Sequence, residues 1–79
     1  MICVYAIKSL NKKYIYVGMS NNVSRRFLEH NKGRNRSTKP YLPYILIFVE
    51  EFENRKLARG KEKYLKSGIG KEFLRSLKY

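Results

Sequence analysis

The chain has little of what several familiar chemistries require. It holds one cysteine, one histidine and no tryptophan in 79 residues. A single cysteine rules out an internal disulfide, and Cys3, inside an apolar stretch, reads as a core residue rather than a reactive thiol. One cysteine with one histidine leaves no zinc constellation. No apolar run reaches transmembrane length. Ile2 to Ile7 is too short for the apolar part of a secretory leader and is closed by Lys8. A reducing cytoplasm is therefore the default location. No repeat, linker or low-complexity segment interrupts the chain, so residues 1–79 are expected to form one domain with a modest core.

Acids are scarce too. Six Asp and Glu stand against 18 Lys and Arg, giving a formal net charge of +12 and a pI near 10.1. With 43% hydrophobic and 14% aromatic residues the chain has enough apolar material to fold. The positive excess makes a polyanion the first partner to consider, nucleic acid ahead of a membrane surface. A basic protein that is merely soluble, or bound to a ribosome, has the same balance.

The richest stretch runs from Tyr14 to His30. Tyr14, Ile15, Tyr16 and Val17 are aromatic or β-branched and predict a short strand that Gly18 ends. Alternation puts Tyr14 and Tyr16 on one face, Ile15 and Val17 on the other. Ser20, Asn21 and Asn22 supply candidate N-caps for a helix that Gly33 is placed to end. On that helix Val23, Arg26, Phe27 and His30 fall at i, i+3, i+4 and i+7, one inward stripe, with Arg25 and Glu29 as an i,i+4 pair well off it. Two readings of the stripe stand side by side. Arg26 snorkels to water and His30 is a hydrogen-bonded residue near the helix C-terminus, or both point past the tyrosines into a phosphate site. Spacing alone favours the first.

Upstream, Ile2 to Ile7 is continuously apolar, like a strand covered on both faces, and Ser9 to Lys12 is a turn that makes an antiparallel hairpin with the Tyr14 strand. Tyr5 and Tyr16 are candidate cross-strand neighbours within it. Downstream, Asn31 to Tyr41 reads as an exposed basic loop. Lys32, Arg34, Arg36 and Lys39 suit phosphate contact, with Ser37 and Thr38 as hydrogen-bond donors and Tyr41 and Tyr44 packing the loop to the body. Tyr44 to Val49 predicts a third strand, with Glu50, Glu51 and Glu53 following as a solvated strand end. Asn54 is placed to cap a helix over 55–67, where Ala58, Glu62, Leu65 and Ile69 form one line and Leu57, Lys61 and Tyr64 a competing one. Gly60, interior to that helix, suggests a close approach. A last helix spans 71–77, packed by Phe73, Leu74 and Leu77. The order is β-β-α-β-α-α, an α+β class in which helices cover a small sheet.

These residues resemble the GIY-YIG nuclease superfamily. Val4-Tyr5 in the first strand and Tyr16-Val17-Gly18 in the second are similar to the two halves of its signature. Arg26 and His30 follow at the spacing YVG, seven residues, R, three residues, H, and Glu62 in KEKYLKSG matches the later helix glutamate. Cys3 stands where the first half usually has Gly, Val17 replaces Ile, and no Asn follows Glu62. The likeness covers essentially the whole chain. It is closest to small stand-alone bacterial proteins related to the N-terminal nuclease domain of the excision-repair nuclease C subunit.

The resemblance implies a three-stranded antiparallel sheet flanked by helices and hydrolysis of a DNA phosphodiester with one divalent ion, Mg²⁺ or Mn²⁺ in its place. By carry-over Glu62 holds the metal, Tyr5 acts as or assists the general base, and Tyr16 orients water and phosphate. Arg26 stabilises phosphoryl charge, and His30 assists the proton relay or phosphate positioning. Mg²⁺ retains waters and needs only one or two carboxylates, so one Glu suffices. The expected substrate is DNA, with RNA open, cut with structure selectivity or weak sequence selectivity. A non-catalytic nucleic-acid-binding module on the same fold is the alternative, as is a nuclease subunit that needs a partner. A protein partner or weak homodimer stays open.

Overall fold

A computed structural model describes residues 1–79. It orders β1 (Ile2–Ser9), β2 (Ile15–Ser20), α1 (Val23–Asn31), a 3₁₀ turn (Lys39–Tyr41), β3 (Tyr44–Phe52), α2 (Arg55–Lys66) and α3 (Gly68–Ser76). The three strands form one antiparallel sheet flanked by helices, as the residues and their resemblance predict, with strand order β2-β1-β3.

β1 is central, which explains its unbroken apolar sequence. Alternation along it feeds two different layers. Ile2, Val4 and Ala6 face an aliphatic core with Val17 from β2, Ala58 and Leu65 from α2 and Leu74 from α3. Tyr5 and Ile7 face the other way, into a cluster with Tyr44 against which Tyr14, Tyr16, Val23 and Phe27 pack. The register pairs Tyr5 with Gly18 and Ile7 with Tyr16, so the two tyrosines are diagonal rather than directly opposed. A shift in the β1–β3 register between Ala6 and Ile7 bends the second ladder.

Several elements differ from the sequence expectation. Gly18 lies inside β2, not at its end. A Cβ there would meet Tyr16 Cε2 and Tyr5 Oη, each at 2.9 Å, so the glycine is demanded by the approach of two rings. β3 runs on to Phe52 and takes Glu50 and Glu51 into the strand, opposite Val4 and Cys3. An exposed edge strand tolerates such charges on its solvent side. α3 begins at Gly68, with Ser67 as its N-cap accepting from the Gly70 N–H, so Ile69 belongs to α3 and is 70% exposed. The close approach belongs to Gly70, where a Cβ would collide with Leu65 Cα and the Tyr64 carbonyl, while Gly60 faces open space.

The helix ends follow local chemistry. Asn22 caps α1 by accepting from Arg25 N–H at 3.1 Å, and Asn54 caps α2 by accepting from Leu57 N–H at 3.0 Å. Past α1, Gly33 takes φ +74°. There the Arg34 N–H donates to the Glu29 carbonyl and the Gly33 N–H to the His30 carbonyl, both at 3.1 Å, a Schellman closure.

Candidate active site

α1 lies on the aromatic side of the sheet, and its stripe residues meet the strand tyrosines there. His30, on the last turn of α1, is fully buried. Its Nε2 is 2.9 Å from Tyr5 Oη and its Nδ1 is 2.8 Å from Thr38 Oγ1. Thr38 Oγ1 donates onward to the Asn35 carbonyl at 3.4 Å, and the Tyr44 hydroxyl donates to the Thr38 carbonyl at 2.8 Å. Requiring every donor to have an acceptor assigns the ring: Tyr5 O–H donates to Nε2, and Nδ1–H donates to Thr38. No buried side-chain polar atom is left unpaired. His30 is thus a through-connected buried residue, deeper than a helix-end residue that merely finds a hydrogen bond.

Tyr16 covers this chain. Its ring centroid is 4.8 Å from that of His30 and 6.3 Å from that of Tyr5. Arg26, with a side chain 32% exposed, holds Glu29 Oε1 at 2.9 Å. Glu29 therefore does not sit well off the stripe; its short contact is with Arg26, and the i,i+4 contact with Arg25 is longer at 3.9 Å. The hydrogen bond from Arg26 holds the Glu29 carboxyl below the usual carboxylate range, and the same bond raises Arg26 further.

The two buried members are tuned in opposite directions. Burial first, and Tyr16 second, push the Tyr5 phenol up to about 12, with the nearby Arg26 charge working the other way. Burial first, and Arg26 second, pull the His30 imidazole below its ordinary value. At neutral pH the pair is a phenol and a neutral imidazole. Tyr5 is fully buried, and its hydroxyl is held by His30 Nε2.

Glu62 is not part of this cluster. It stands between Ala58 and Leu65 on the stripe of α2 that packs the aliphatic face, which resolves the two competing lines in favour of this one. Its side chain is 16% exposed and pairs with Lys66 at 3.2 Å and Arg59 at 3.6 Å. No hydrogen bond or ion pair joins it to Tyr5, Tyr16, Arg26 or His30. No group of three or more His, Cys, Asp or Glu is gathered anywhere. The donor set of a single carboxylate fits a hard ion that keeps most of its water and does not fit a caged one.

In the basic segment Lys32, Arg34, Arg36 and Lys39 are exposed and free of ion pairs. Ser37 is exposed, its hydroxyl 2.7 Å from Asn35 Oδ1. Thr38 departs from the expectation of a surface donor: it is fully buried, its hydroxyl turned to His30. Tyr41 stacks on Tyr14 with centroids 4.4 Å apart, and Tyr44 is buried, so both pack the loop to the body as expected. Sequence reasoning missed the Thr38 and Tyr44 support. The one signal for the tyrosine contact was a glycine between alternating strand residues.

The family model of the GIY-YIG catalytic domain matches residues 1–73. Among curated proteins, the chain is 34% identical over 65 residues to a UPF0213 protein of Bacillus cereus, covering 81% of this chain and 67% of the relative. It is 34% identical over 64 residues to a UPF0213 protein of Clostridium perfringens (80% and 68%) and to one of Vibrio campbellii (80% and 61%). No solved structure matches.

Proposed function

The chain belongs to the GIY-YIG catalytic-domain family, a nuclease superfamily, and from that premise we propose that it is a metal-dependent DNA endonuclease whose reacting face is Tyr16 and Arg26. Nucleases of this family act on nucleic acid and generally depend on a divalent metal. The observation that carries the reading is the buried Tyr5–His30–Thr38 chain, each of its buried polar side-chain atoms paired, with Tyr16 laid over it and Arg26 beside it. A plain core would fill these positions with aliphatic residues, as the other face of the same sheet does.

Hydrolysis forms a bond from water oxygen to phosphorus, breaks one ester P–O bond, and leaves the water's proton on the departing oxygen. Arg26, partly exposed and fixed by Glu29, holds the phosphoryl oxygens where negative charge grows. The Tyr16 hydroxyl orients the attacking water, and the rings of His30 and Tyr5 fix the direction of Tyr16. Tyr5 and His30 act through Tyr16 as positioning residues. A divalent ion, when bound, polarises the phosphoryl oxygen and makes its water more acidic. Glu62 is the carboxylate that would hold it, with Mg²⁺ the proposed ion and Mn²⁺ a substitute.

The test is cleavage of labelled single-stranded, duplex, flapped and branched DNAs with Mg²⁺ or Mn²⁺, wild type beside Arg26→Ala and Glu62→Ala. Turnover in wild type that both variants lose, with binding largely kept in Glu62→Ala, is the expected result. Silence from all three with tight binding would replace the reading by a binding module or a partner-dependent subunit.

A further inference from the structure

A concave surface opens at the end of the β1–β2 hairpin, with Tyr14 of the aromatic layer in its wall. The end of the β1–β2 hairpin and α3 enclose an open groove of about 670 Å³ lined by Lys8, Lys13, Tyr14, Ile15, Lys71 and Arg75. Four of these six residues are cations and none is an acid. None of the four forms an ion pair. Lys71 reaches across from α3 to donate to the Ile15 carbonyl at 2.7 Å, and Lys8 donates to the Ser9 carbonyl at 3.0 Å. Each ammonium group is thus fixed by one backbone acceptor and keeps further N–H donors for another ligand. Burial first, then Arg75 and Lys66, lower the Lys71 pKa, the mark of a desolvated cation among like charges.

Like charges gathered in a concavity without a counter-ion repel one another, and an anion relieves that repulsion. One aromatic stack links the groove to the segment after α1. Tyr14 forms part of its wall and stacks on Tyr41, the last residue of the 3₁₀ turn that Lys39 begins.

We propose that this groove is a second phosphate-binding site, one that holds the nucleic-acid backbone away from the Tyr16–Arg26 centre. The inference rests on the nuclease reading for the identity of the polyanion. The backbone track then runs from the exposed cations of 32–39, past the Tyr14–Tyr41 stack, to Lys71 and Arg75.

The experiment compares the full chain with Lys13→Gln/Arg75→Gln, whose two exposed side chains make no hydrogen bond or ion pair within the protein, and with Lys71→Gln. Affinity for a duplex oligonucleotide is measured across salt concentrations without divalent ions. Each lost phosphate contact should flatten the slope of log K against log salt by about 0.9, so the double variant should lose between one and two such steps. Its KM for DNA should rise as its affinity falls, whereas Arg26→Ala loses kcat. In parallel, inorganic pyrophosphate is titrated against the wild-type chain while amide NMR shifts are followed. Shifts at Ile15, Lys71 and Arg75 that vanish in Lys71→Gln support the site. An unchanged salt slope in the folded variants overturns the proposal and leaves the nuclease reading intact. Pyrophosphate shifts in a protein that binds no DNA would overturn the backbone-holding role and the nuclease reading together, leaving a site for free phosphate compounds.

Discussion

The two faces of the sheet are built from alternate residues of the same strand, yet they are chemically unlike. Toward α2 and α3, β1 presents Val4 and Ala6 to Val17, Ala58, Leu65 and Leu74, small aliphatic groups with no hydrogen-bonding needs. Toward α1 it presents Tyr5 and Ile7 to Tyr44, Tyr14 and Tyr16, around a buried histidine whose ring nitrogens both find partners. The aliphatic face stabilises through apolar area removed from water. The aromatic face buries polar groups whose net gain is modest and whose loss is severe if one partner goes. A small domain can carry a demanding polar layer on one side because the other side is simple.

The largest expected effect tests the simple face. Leu65 is fully buried among aliphatic neighbours, so Leu65→Ala should remove roughly 2 to 5 kcal/mol of stability. Urea denaturation measures it. Turnover per folded molecule should stay unchanged, and a loss of turnover in the folded fraction would break the division between the faces.

The second effect tests the aromatic face, where burial shifts both Tyr5 and His30. Tyr5 moves from 10.0 to about 12 in the folded protein. Between those values the unfolded chain loses the proton first, so stability falls as pH rises above 10, by roughly 2 to 3 kcal/mol once both states are ionised. Tyr5→Phe should remove the Tyr5 share of that alkaline limb and leave the share of Tyr44, whose phenol burial also pushes up to about 12. His30 is shifted down from 6.5. Below that pH the unfolded state binds the proton that the folded state refuses, so stability also falls as pH drops under 6.5. His30→Gln should remove that acid limb, which chemical denaturation at stepped pH values can follow.

A smaller stability effect with a large functional one is expected at Gly18. A Cβ there must displace the Tyr16 ring edge and the Tyr5 hydroxyl, both 2.9 Å away. Gly18→Ala should cost about 1 to 3 kcal/mol. Because the displaced ring edge belongs to Tyr16, the residue proposed to orient water, and the displaced hydroxyl to Tyr5, which positions it, turnover should drop much further than stability does. Equal losses in both would make the aromatic layer a core like the other.

Much of this was legible in the residues. The unbroken apolar run of β1, the α1 stripe of Val23, Arg26, Phe27 and His30, the Asn54 cap and the β-β-α-β-α-α order follow from local rules of period and capping, while Asn22 is one of three candidate caps for α1. Less legible was anything set by where distant segments meet. The burial of Thr38 inside a basic stretch depends on His30 lying above it. That Glu62 bonds to Arg59 and Lys66 and to none of the tyrosines depends on which face α2 covers. The four cations of the groove come from two places far apart in the chain, the β1–β2 hairpin and α3, and no local spacing joins the two.

Glycines make the same point at the smallest scale, since a letter in the sequence says only that a side chain is missing. Gly18 and Gly70 lack it because a neighbour occupies the space. Gly60 lies inside α2 with nothing within 4 Å of where a Cβ would stand. Gly60→Ala should therefore stabilise the chain by roughly 0.5 to 1 kcal/mol, since alanine leaves the unfolded chain less freedom to lose. Thermal or urea unfolding gives the sign, and cleavage with Mg²⁺ gives the second reading. Unchanged turnover with higher stability would mark this side of α2 as bare scaffold. Higher stability with weaker DNA binding would mean that the polyanion lies against α2 as well, extending the contact surface to the helix that carries Glu62.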